Sequence, residues 1–158
     1  MQADLPAGLV LRRATDGDSD IVKALVWQVL REYGMEPDPA HADRGLDHID
    51  SAFDGGGLWL LLEGDALIGT VGLSANSETV CELTKMFLTP SARGKGLGRA
   101  LLVAALDEAR ARGYRTVELE TDTSLKEAVQ LYRRYGFEEV AQPNSVQRCN
   151  MVMHLTLQ

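Results

Sequence analysis

Alternating apolar and polar positions at residues 8–14 (GLVLRRA) predict that the chain begins with a β-strand. A series of apolar residues spaced four apart then predicts an amphipathic helix that ends at Gly34. A shorter series predicts a second helix before the triple glycine at 55–57. The first series is Ile21, Leu25, Val29 and Tyr33, and the second is Leu46, Ile49 and Phe53.

Three apolar segments follow at hairpin spacing and predict consecutive strands over 58–62, 66–75 and 80–88. The pairs Gly64–Asp65 and Asn76–Ser77 lie between these segments and suit tight turns. The middle of the chain therefore predicts strands joined by hairpins.

The second half of the chain alternates helices and strands. One helix is predicted over 96–112, with Gly113 as its terminator. Ser124 and Glu127 form the S-x-x-E pattern of a capping box, which predicts a helix start there and a helix through Tyr135. The predicted strands of this half are 114–121, 137–141 and 147–157.

The predicted element order is β-α-α-β-β-β-α-β-α-β-β. This order is not a regular βαβ repeat, so we expect an α/β fold of the mixed, α+β kind, with helices on both faces of a mixed sheet. A length of 158 residues and a mass of 17.3 kDa fit a single domain over 1–158.

Composition narrows the class of protein. Hydrophobic residues make up 45% of the chain and charged residues 25%, as in folded globular proteins. The longest uncharged apolar run, 100–106, is far shorter than the roughly 20 residues of a membrane-spanning helix. No secretory signal pattern is visible at the start, and the only cysteines, Cys81 and Cys149, do not form a CxxC motif. We therefore expect a cytoplasmic protein without a disulfide framework.

Charge is unevenly distributed along the chain. The net charge of −7 argues against binding to nucleic acid or to an anionic membrane. Residues 34–57 contain six acids and one arginine, whereas residues 85–112 contain six bases and two acids. The two segments indicate either one site for a cation and one for an anion, or two solvated faces of opposite charge.

A glycine-rich segment at 89–99 (TPSARGKGLGR) lies between a predicted strand and a predicted helix. Glycines let backbone amides approach a ligand closely, and a helix N-terminus favours an anion. Arg93, Lys95 and Arg99 add positive charge, so the segment predicts a phosphate or pyrophosphate site. It does not fit the nucleotide P-loop, because Lys95 is followed by Gly96 and not by Ser or Thr, and it lacks the third glycine of the dinucleotide fingerprint at the required place.

Residues 93–98 (RGKGLG) resemble the R/Q-x-x-G-x-G/A signature of the GNAT (Gcn5-related N-acetyltransferase) superfamily. The preceding segment 85–90 resembles the strand before that signature, and residues 128–137 resemble its A-x-x-L-Y-x-x-x-G-F segment. The similarity covers nearly the whole chain and is strongest over 82–140. It implies a mostly antiparallel sheet and an acetyl-CoA-dependent enzyme.

The resemblance also implies how acetyl-CoA binds. The strand 82–88 splays from the strand 117–120, pantetheine lies in the gap, and the glycine-rich loop holds the pyrophosphate. Arg134, or Arg133 beside it, matches a position near the 3′-phosphate, whereas Leu125 replaces an asparagine common in relatives. The cofactor-binding residues implied are Met86, Phe87, Leu88, Arg93, Gly94, Lys95, Gly96, Leu97, Gly98, Arg99, Tyr132 and Arg134.

Two catalytic residues follow from the same resemblance. Tyr132 matches the tyrosine that protonates the departing thiolate, and Glu82 is the first candidate for the base that deprotonates the attacking amine. Glu118 and Glu120 are alternative bases, directly or through water. The three histidines show no ligand spacing, so we expect no metal site.

These features predict an N-acetyltransferase that acts on a primary amine by direct attack. The acidic segment 36–54 matches the acceptor-binding region of the superfamily and favours a small cationic amine, although surface acidity explains it equally well. A non-catalytic acyl-CoA sensor and an enzyme that acetylates only a partner protein's lysine or N-terminus remain alternatives. A homodimer formed through the last strand, 147–157, is a further expectation.

Overall fold

The computed structural model describes residues 4–143, 145 and 147–158. Within them, seven strands form one sheet in the order β1-β2-β3-β4-β5-β7-β6, where β4 and β5 are parallel and all other neighbours antiparallel. This architecture confirms the expected mixed fold with a mostly antiparallel sheet. The strands are β1 Leu9–Arg13, β2 Gly57–Glu63, β3 Ala66–Ala75, β4 Val80–Leu88, β5 Thr116–Thr121, β6 Glu138–Val140 and β7 Met151–Thr156.

In the described part of the chain, four α-helices and three short 3-10 turns connect these strands, and the predicted element order is confirmed. Every one of these helices is shorter or less apolar than a membrane-spanning helix would have to be. The α-helices are α1 Ser19–Glu32, α2 Ile49–Ala52, α3 Leu97–Ala111 and α4 Lys126–Arg134, and the 3-10 turns are Asp16–Asp18, Arg44–Asp47 and Pro90–Ala92.

The helices cover both faces of the sheet and enclose two cores. Trp59 and Leu61 of β2 pack with α3 and α4, whereas Leu58 and Leu60 of the same strand pack with α1 and α2. Successive side chains of a strand point to opposite faces. Because both faces of β2 are buried, its sequence is a continuous apolar run rather than an alternating one.

The buried face of α1 differs from the predicted one. Ile21 and Tyr33 are 46% and 40% exposed, while Val22, Val26 and Leu30 are buried. An α-helix has 3.6 residues per turn, so residues spaced strictly by four rotate about 40° at each step. Over the three steps from Ile21 to Tyr33 the drift reaches about 120°, which turns the ends of the series toward solvent.

The predicted capping box at Ser124 and Glu127 is wrong. The helix begins at Lys126, and no side chain caps its N-terminus. The backbone amide and the hydroxyl of Ser124 both donate hydrogen bonds to Asp122 Oδ1, at 2.9 and 2.6 Å. Asp122 thus holds Ser124 in a local turn. Such a turn is an alternative to helix capping for a short polar side chain.

The last strand is also shorter than predicted and lies inside the sheet. Residues 147 and 148 form a turn, and β7 begins at Met151. β7 pairs with β5 on one side and with β6 on the other. Since both of its edges are used along Val152–His154, strand pairing with a second copy through that stretch is not available.

β4 separates from β5 after three residues. The two strands pair only over Val80–Glu82 and Thr116–Glu118, so residues 83–88 have no strand partner on that side among the described residues. On its other side β4 pairs with β3, with an irregular register between Thr70 and Gly72. Lys85 lies in this bulge with a φ of 51°, a left-handed backbone conformation that is uncommon for lysine. The sheet therefore contains an opening at its centre.

Candidate active site

The opening between β4 and β5 exposes a strand edge whose backbone groups can pair with a ligand. Met86 and Leu88 are half-buried against the core on the α3 side, and Phe87 packs toward the core on the α1 side. Their side chains are therefore held in the two cores, while the edge of the strand faces the opening. An extended ligand with amide groups can bind such an edge as an additional strand would.

The glycine-rich loop follows β4 directly and ends at the first residue of α3. Gly94 and Gly96 have φ values of 75° and 77°, and no neighbouring atom lies within 4 Å of where a Cβ would be. Lys95 is exposed between them, while Leu97 is buried and anchors the start of the 15-residue helix. The loop thus presents open backbone at a helix N-terminus, the arrangement that suits a phosphate group.

The Arg93 side chain joins this loop to α1. Its guanidinium donates to Glu32 through both terminal nitrogens and to the carbonyl of Leu88 at 2.9 Å. It also lies over the ring of Tyr33, 5.3 Å from the ring centroid. The hydrogen bond from Arg93 lowers the pKa of Glu32. Arg93 therefore fixes the end of β4 against the C-terminus of α1.

The other basic candidates are exposed. Arg99 lies in the first turn of α3, beside the open loop. Arg133 and Arg134 lie in the last turn of α4, and no ion pair involves either of them among the described residues. The guanidinium of Arg99 is accessible to an anionic ligand beside the glycine-rich loop, and those of Arg133 and Arg134 are exposed at the end of α4.

Tyr132 lies on α4 and is 6% exposed, with its ring 5.7 Å from that of Phe137. Burial raises the pKa of its hydroxyl above the usual value of 10. The group is therefore protonated at neutral pH and can donate a proton or a hydrogen bond. In the described part of the chain, no residue hydrogen-bonds to this hydroxyl.

Three carboxylates line a cavity of about 260 Å³ beside the opening. Glu82 on β4 is paired in register with Glu118 on β5, and Glu120 lies on the same face of β5 two residues further. Glu120 accepts hydrogen bonds from the amide and hydroxyl of Ser145. The remaining lining residues are Asn76, Leu119, Gln142, Pro143 and Val152. The structure thus brings together Glu82 and both alternative bases.

Burial raises the pKa of Glu82, and the nearby charges of Glu120 and Glu118 raise it further. A hydrogen bond from Asn76 and the charge of Lys85 act in the opposite direction. A carboxylate with a raised pKa is a stronger base than an ordinary glutamate, so Glu82 suits the removal of a proton near neutral pH.

A buried ionic cluster at the edge of this region was not anticipated. The side chain of Asp43 is fully buried and accepts hydrogen bonds from Lys85 Nζ at 2.5 Å and from both terminal nitrogens of Arg148 at 2.7 and 2.9 Å. It also accepts one from the backbone amide of Asp38 at 2.8 Å. No local sequence signal marks these three residues as partners.

This cluster changes the interpretation of the acidic segment 36–54. Burial opposes ionisation of Asp43, but the bonds from Arg148 and Lys85 outweigh it and lower its pKa to about 2. Asp43 therefore offers no free carboxylate to an acceptor. Asp47 forms an ion pair with Lys23, and Asp38 bonds to His41 and to the amide of Ala42. Three of the six acids of this segment are therefore engaged within the protein, whereas Asp50 remains exposed and the cavity at Glu82 forms a second acidic site.

Within the described ranges, no three His, Cys, Asp or Glu side chains form a group that could hold a metal ion. Cys81 is buried, and burial raises the pKa of Cys149 to about 11, so neither thiol is activated.

Comparison with known proteins agrees with this geometry. The family model described as the acetyltransferase (GNAT) family matches residues 23–137. The chain is 34% identical over 142 residues to the uncharacterized N-acetyltransferase YjgM of Escherichia coli, with 85% of each protein covered. It is 32% identical over 138 residues to a mycothiol acetyltransferase of Actinosynnema mirum, covering 84% of this chain and 46% of that one. The chain therefore spans about half of the latter protein.

Solved structures show the same fold. A GNAT-family acetyltransferase from Staphylococcus aureus superposes with a TM-score of 0.86 at 19% identity, with 95% of this chain and 99% of that chain covered. A putative acetyltransferase from Salmonella typhimurium, solved with acetyl-CoA, gives a TM-score of 0.75 at 18% identity, with 96% and 95% covered. The fold, the glycine-rich loop and the matched family model together show that the chain belongs to the GNAT family of acetyltransferases.

Proposed function

We propose that the protein transfers an acetyl group from acetyl-CoA to a small cationic primary amine by direct attack. The observation that carries this proposal is the opening between β4 and β5. At one end it meets the glycine-rich loop, and beside it lies the cavity with Glu82. One site for an anionic cofactor and one for a cationic acceptor thus adjoin the same strand.

The residues around the opening fit acetyl-CoA, which supplies the acetyl thioester. The edge of β4 at Met86, Phe87 and Leu88, which β5 leaves unpaired, can pair with the amides of pantetheine. The open backbone at Gly94 and Gly96 can hold the pyrophosphate. A backbone amide near Phe87 or Leu88 is the donor that would polarise the thioester carbonyl.

Glu82 acts as the base in this proposal. An alkylammonium has no lone pair, so it must lose a proton before its nitrogen can attack a carbonyl carbon. The Glu82 carboxylate lies in the cavity next to the opening and its pKa is raised by burial. It accepts that proton directly or through a water molecule, with Glu118 and Glu120 as the alternative acceptors.

Tyr132 acts as the acid, because its raised pKa keeps the hydroxyl protonated. Tyr132→Phe should lower kcat about 10–100-fold, with a much smaller change in the affinity for coenzyme A. The loss is moderate because a thiol has a pKa near 8.5, so a thiolate leaves fairly well without protonation. Steady-state kinetics and calorimetric titration with coenzyme A measure both quantities. Unchanged kcat would exclude this role.

The acceptor is proposed to be cationic because carboxylates dominate the cavity. Glu118→Gln and Glu120→Gln should each raise the acceptor KM roughly tenfold, since each removes a charge that faces the ammonium group. Asp65→Asn is the matched control, because it neutralises an exposed acid in the turn between β2 and β3, outside both the cavity and the segment 36–54. Equal effects at Glu118 and Asp65 would mean that only the net charge of the protein matters.

Thiol release from acetyl-CoA over a panel of amines tests the whole proposal. The panel contains polyamines, amino sugars, aminoglycosides, amino acids and lysine peptides, with a control lacking amine. Release that depends on a small amine supports the transferase. Release only with peptides points to a protein acceptor, and cofactor binding without any release points to an acyl-CoA sensor.

A further inference from the structure

A side-chain contact between the start of α3 and the end of α4 lies next to the glycine-rich loop. Arg99, in the first turn of α3, donates a hydrogen bond from Nε to the hydroxyl of Tyr135 at 2.5 Å. Tyr135 is the C-cap residue directly after α4 and is 36 positions away along the chain. The bond raises the pKa of Arg99 above the already high value of an ordinary arginine, so the guanidinium stays charged.

Close packing of α3 against α4 brings Arg99 and Tyr135 together. A Cβ at Gly98, beside Arg99, would touch Leu131 at 3.7 Å, so the start of α3 lies directly against α4. Leu131 and Tyr135 are four residues apart and therefore neighbours on one face of α4. The ring of Tyr135 is half-buried and packs against the core, which restricts where its hydroxyl can lie.

The guanidinium of Arg99 retains its anion-binding capacity in this arrangement. Nε is its inner nitrogen, and its use by Tyr135 leaves four N–H groups on the two terminal nitrogens. No carboxylate of the described chain pairs with them. Arg93 differs, because Glu32 and the Leu88 carbonyl engage both of its terminal nitrogens. Arg99 is thus a cation at this loop that is held in one orientation by Tyr135 and whose two terminal nitrogens remain available to a ligand.

We propose that Tyr135 is a positioning residue that holds the Arg99 guanidinium so that its two terminal nitrogens bind a phosphate group of the cofactor. A free arginine side chain loses rotamer entropy when it binds, and a fixed one loses less. The location of Arg99 beside Gly94 and Gly96 assigns the pyrophosphate as this group. The inference rests on the proposed use of acetyl-CoA.

Calorimetric titration with coenzyme A tests the pair. Tyr135→Phe should weaken binding about 3–10-fold and Arg99→Ala about 10–100-fold, as expected for a charged hydrogen bond and its support. Arg99→Lys keeps the charge but lacks Nε, so its loss should be at least that of Tyr135→Phe. Arg110→Ala, at the far end of α3, removes the same charge and should leave binding unchanged.

A double-mutant cycle separates positioning from general destabilisation. In the Arg99→Ala background, Tyr135→Phe should weaken binding no further, because its effect passes through Arg99. In turnover, the loss should fall on the KM for acetyl-CoA rather than on kcat. Additive losses, or a Tyr135→Phe variant that binds like the wild type, would overturn the inference.

Truncated cofactors identify the phosphate group. The penalty of Tyr135→Phe should persist with 3′-dephospho-coenzyme A and vanish with pantetheine, which lacks every phosphate. A penalty that already vanishes with the dephospho compound would overturn the pyrophosphate assignment and indicate the 3′-phosphate. If the wild type binds no coenzyme A, the proposed function fails instead, so the two failures are distinguishable.

Discussion

Glu82→Gln is expected to lower kcat/KM for the amine acceptor about 10²–10⁴-fold, the usual contribution of a general base. The amide keeps the size of the side chain but cannot accept a proton at neutral pH. Because the change removes an unfavourable burial of charge, the fold should not be weakened. Steady-state kinetics with the amine selected by the panel, together with urea unfolding, measures both effects.

The raised pKa of Glu82 also predicts the direction in which activity changes with pH. The pKa of Glu82 is raised, so its carboxylate form is present only above a value higher than that of an ordinary glutamate. Wild-type activity should therefore fall as the pH drops through that value, and this dependence should disappear in Glu82→Gln. Glu78→Gln, in an exposed turn, is the control. If instead only Glu120→Gln abolishes the dependence, Glu120 is the base.

Asp43→Asn is expected to lower the free energy of unfolding by about 3–5 kcal/mol, the usual cost of leaving buried charges without their partner. Lys85 and Arg148, whose side chains are 9% and 16% exposed, would both lose their counter-charge. Urea unfolding at pH 7 measures the change. Asp47→Asn is the control, since its ion pair with Lys23 is more exposed and should contribute about 0–1 kcal/mol.

The contribution of Asp43 also depends on pH in a defined direction. Its pKa is about 2 in the folded protein, below its ordinary value of 3.8. A lowered pKa contributes stability that is fully present above the unfolded value and is lost as the pH falls through the folded one. Wild-type stability should therefore decrease between about pH 4 and pH 2. If Asp43→Asn were as stable as the wild type, the cluster would not be the main interaction that holds its three segments together.

The Asp43 cluster has a consequence for the site as well as for stability. It joins the loop after α1, the bulge of β4 and the turn before β7. Lys85 also contributes to the pKa of Glu82. The Asp43→Asn variant should thus be assayed for the acceptor KM at a temperature where it is folded.

The sequence by itself determined the order of the elements and the place of the glycine-rich loop between β4 and α3. Hydrophobic periodicity located β3 and β4 at their observed bounds, and the glycine pattern marked the loop before α3. These features are local: a strand, a helix or a left-handed glycine depends chiefly on residues within a few positions. The family motif lies in this local part and was therefore readable.

Only the tertiary structure decided the rest, because it depends on groups far apart in sequence. Asp43 meets Lys85 at a separation of 42 residues and Arg148 at 105, and neither distance has a signal in the pattern. The hydrogen bonds from Arg93 to Glu32 and from Arg99 to Tyr135 likewise join residues far apart in sequence. The sequence shows which residues are charged, but only the three-dimensional packing decides which partner each of them meets.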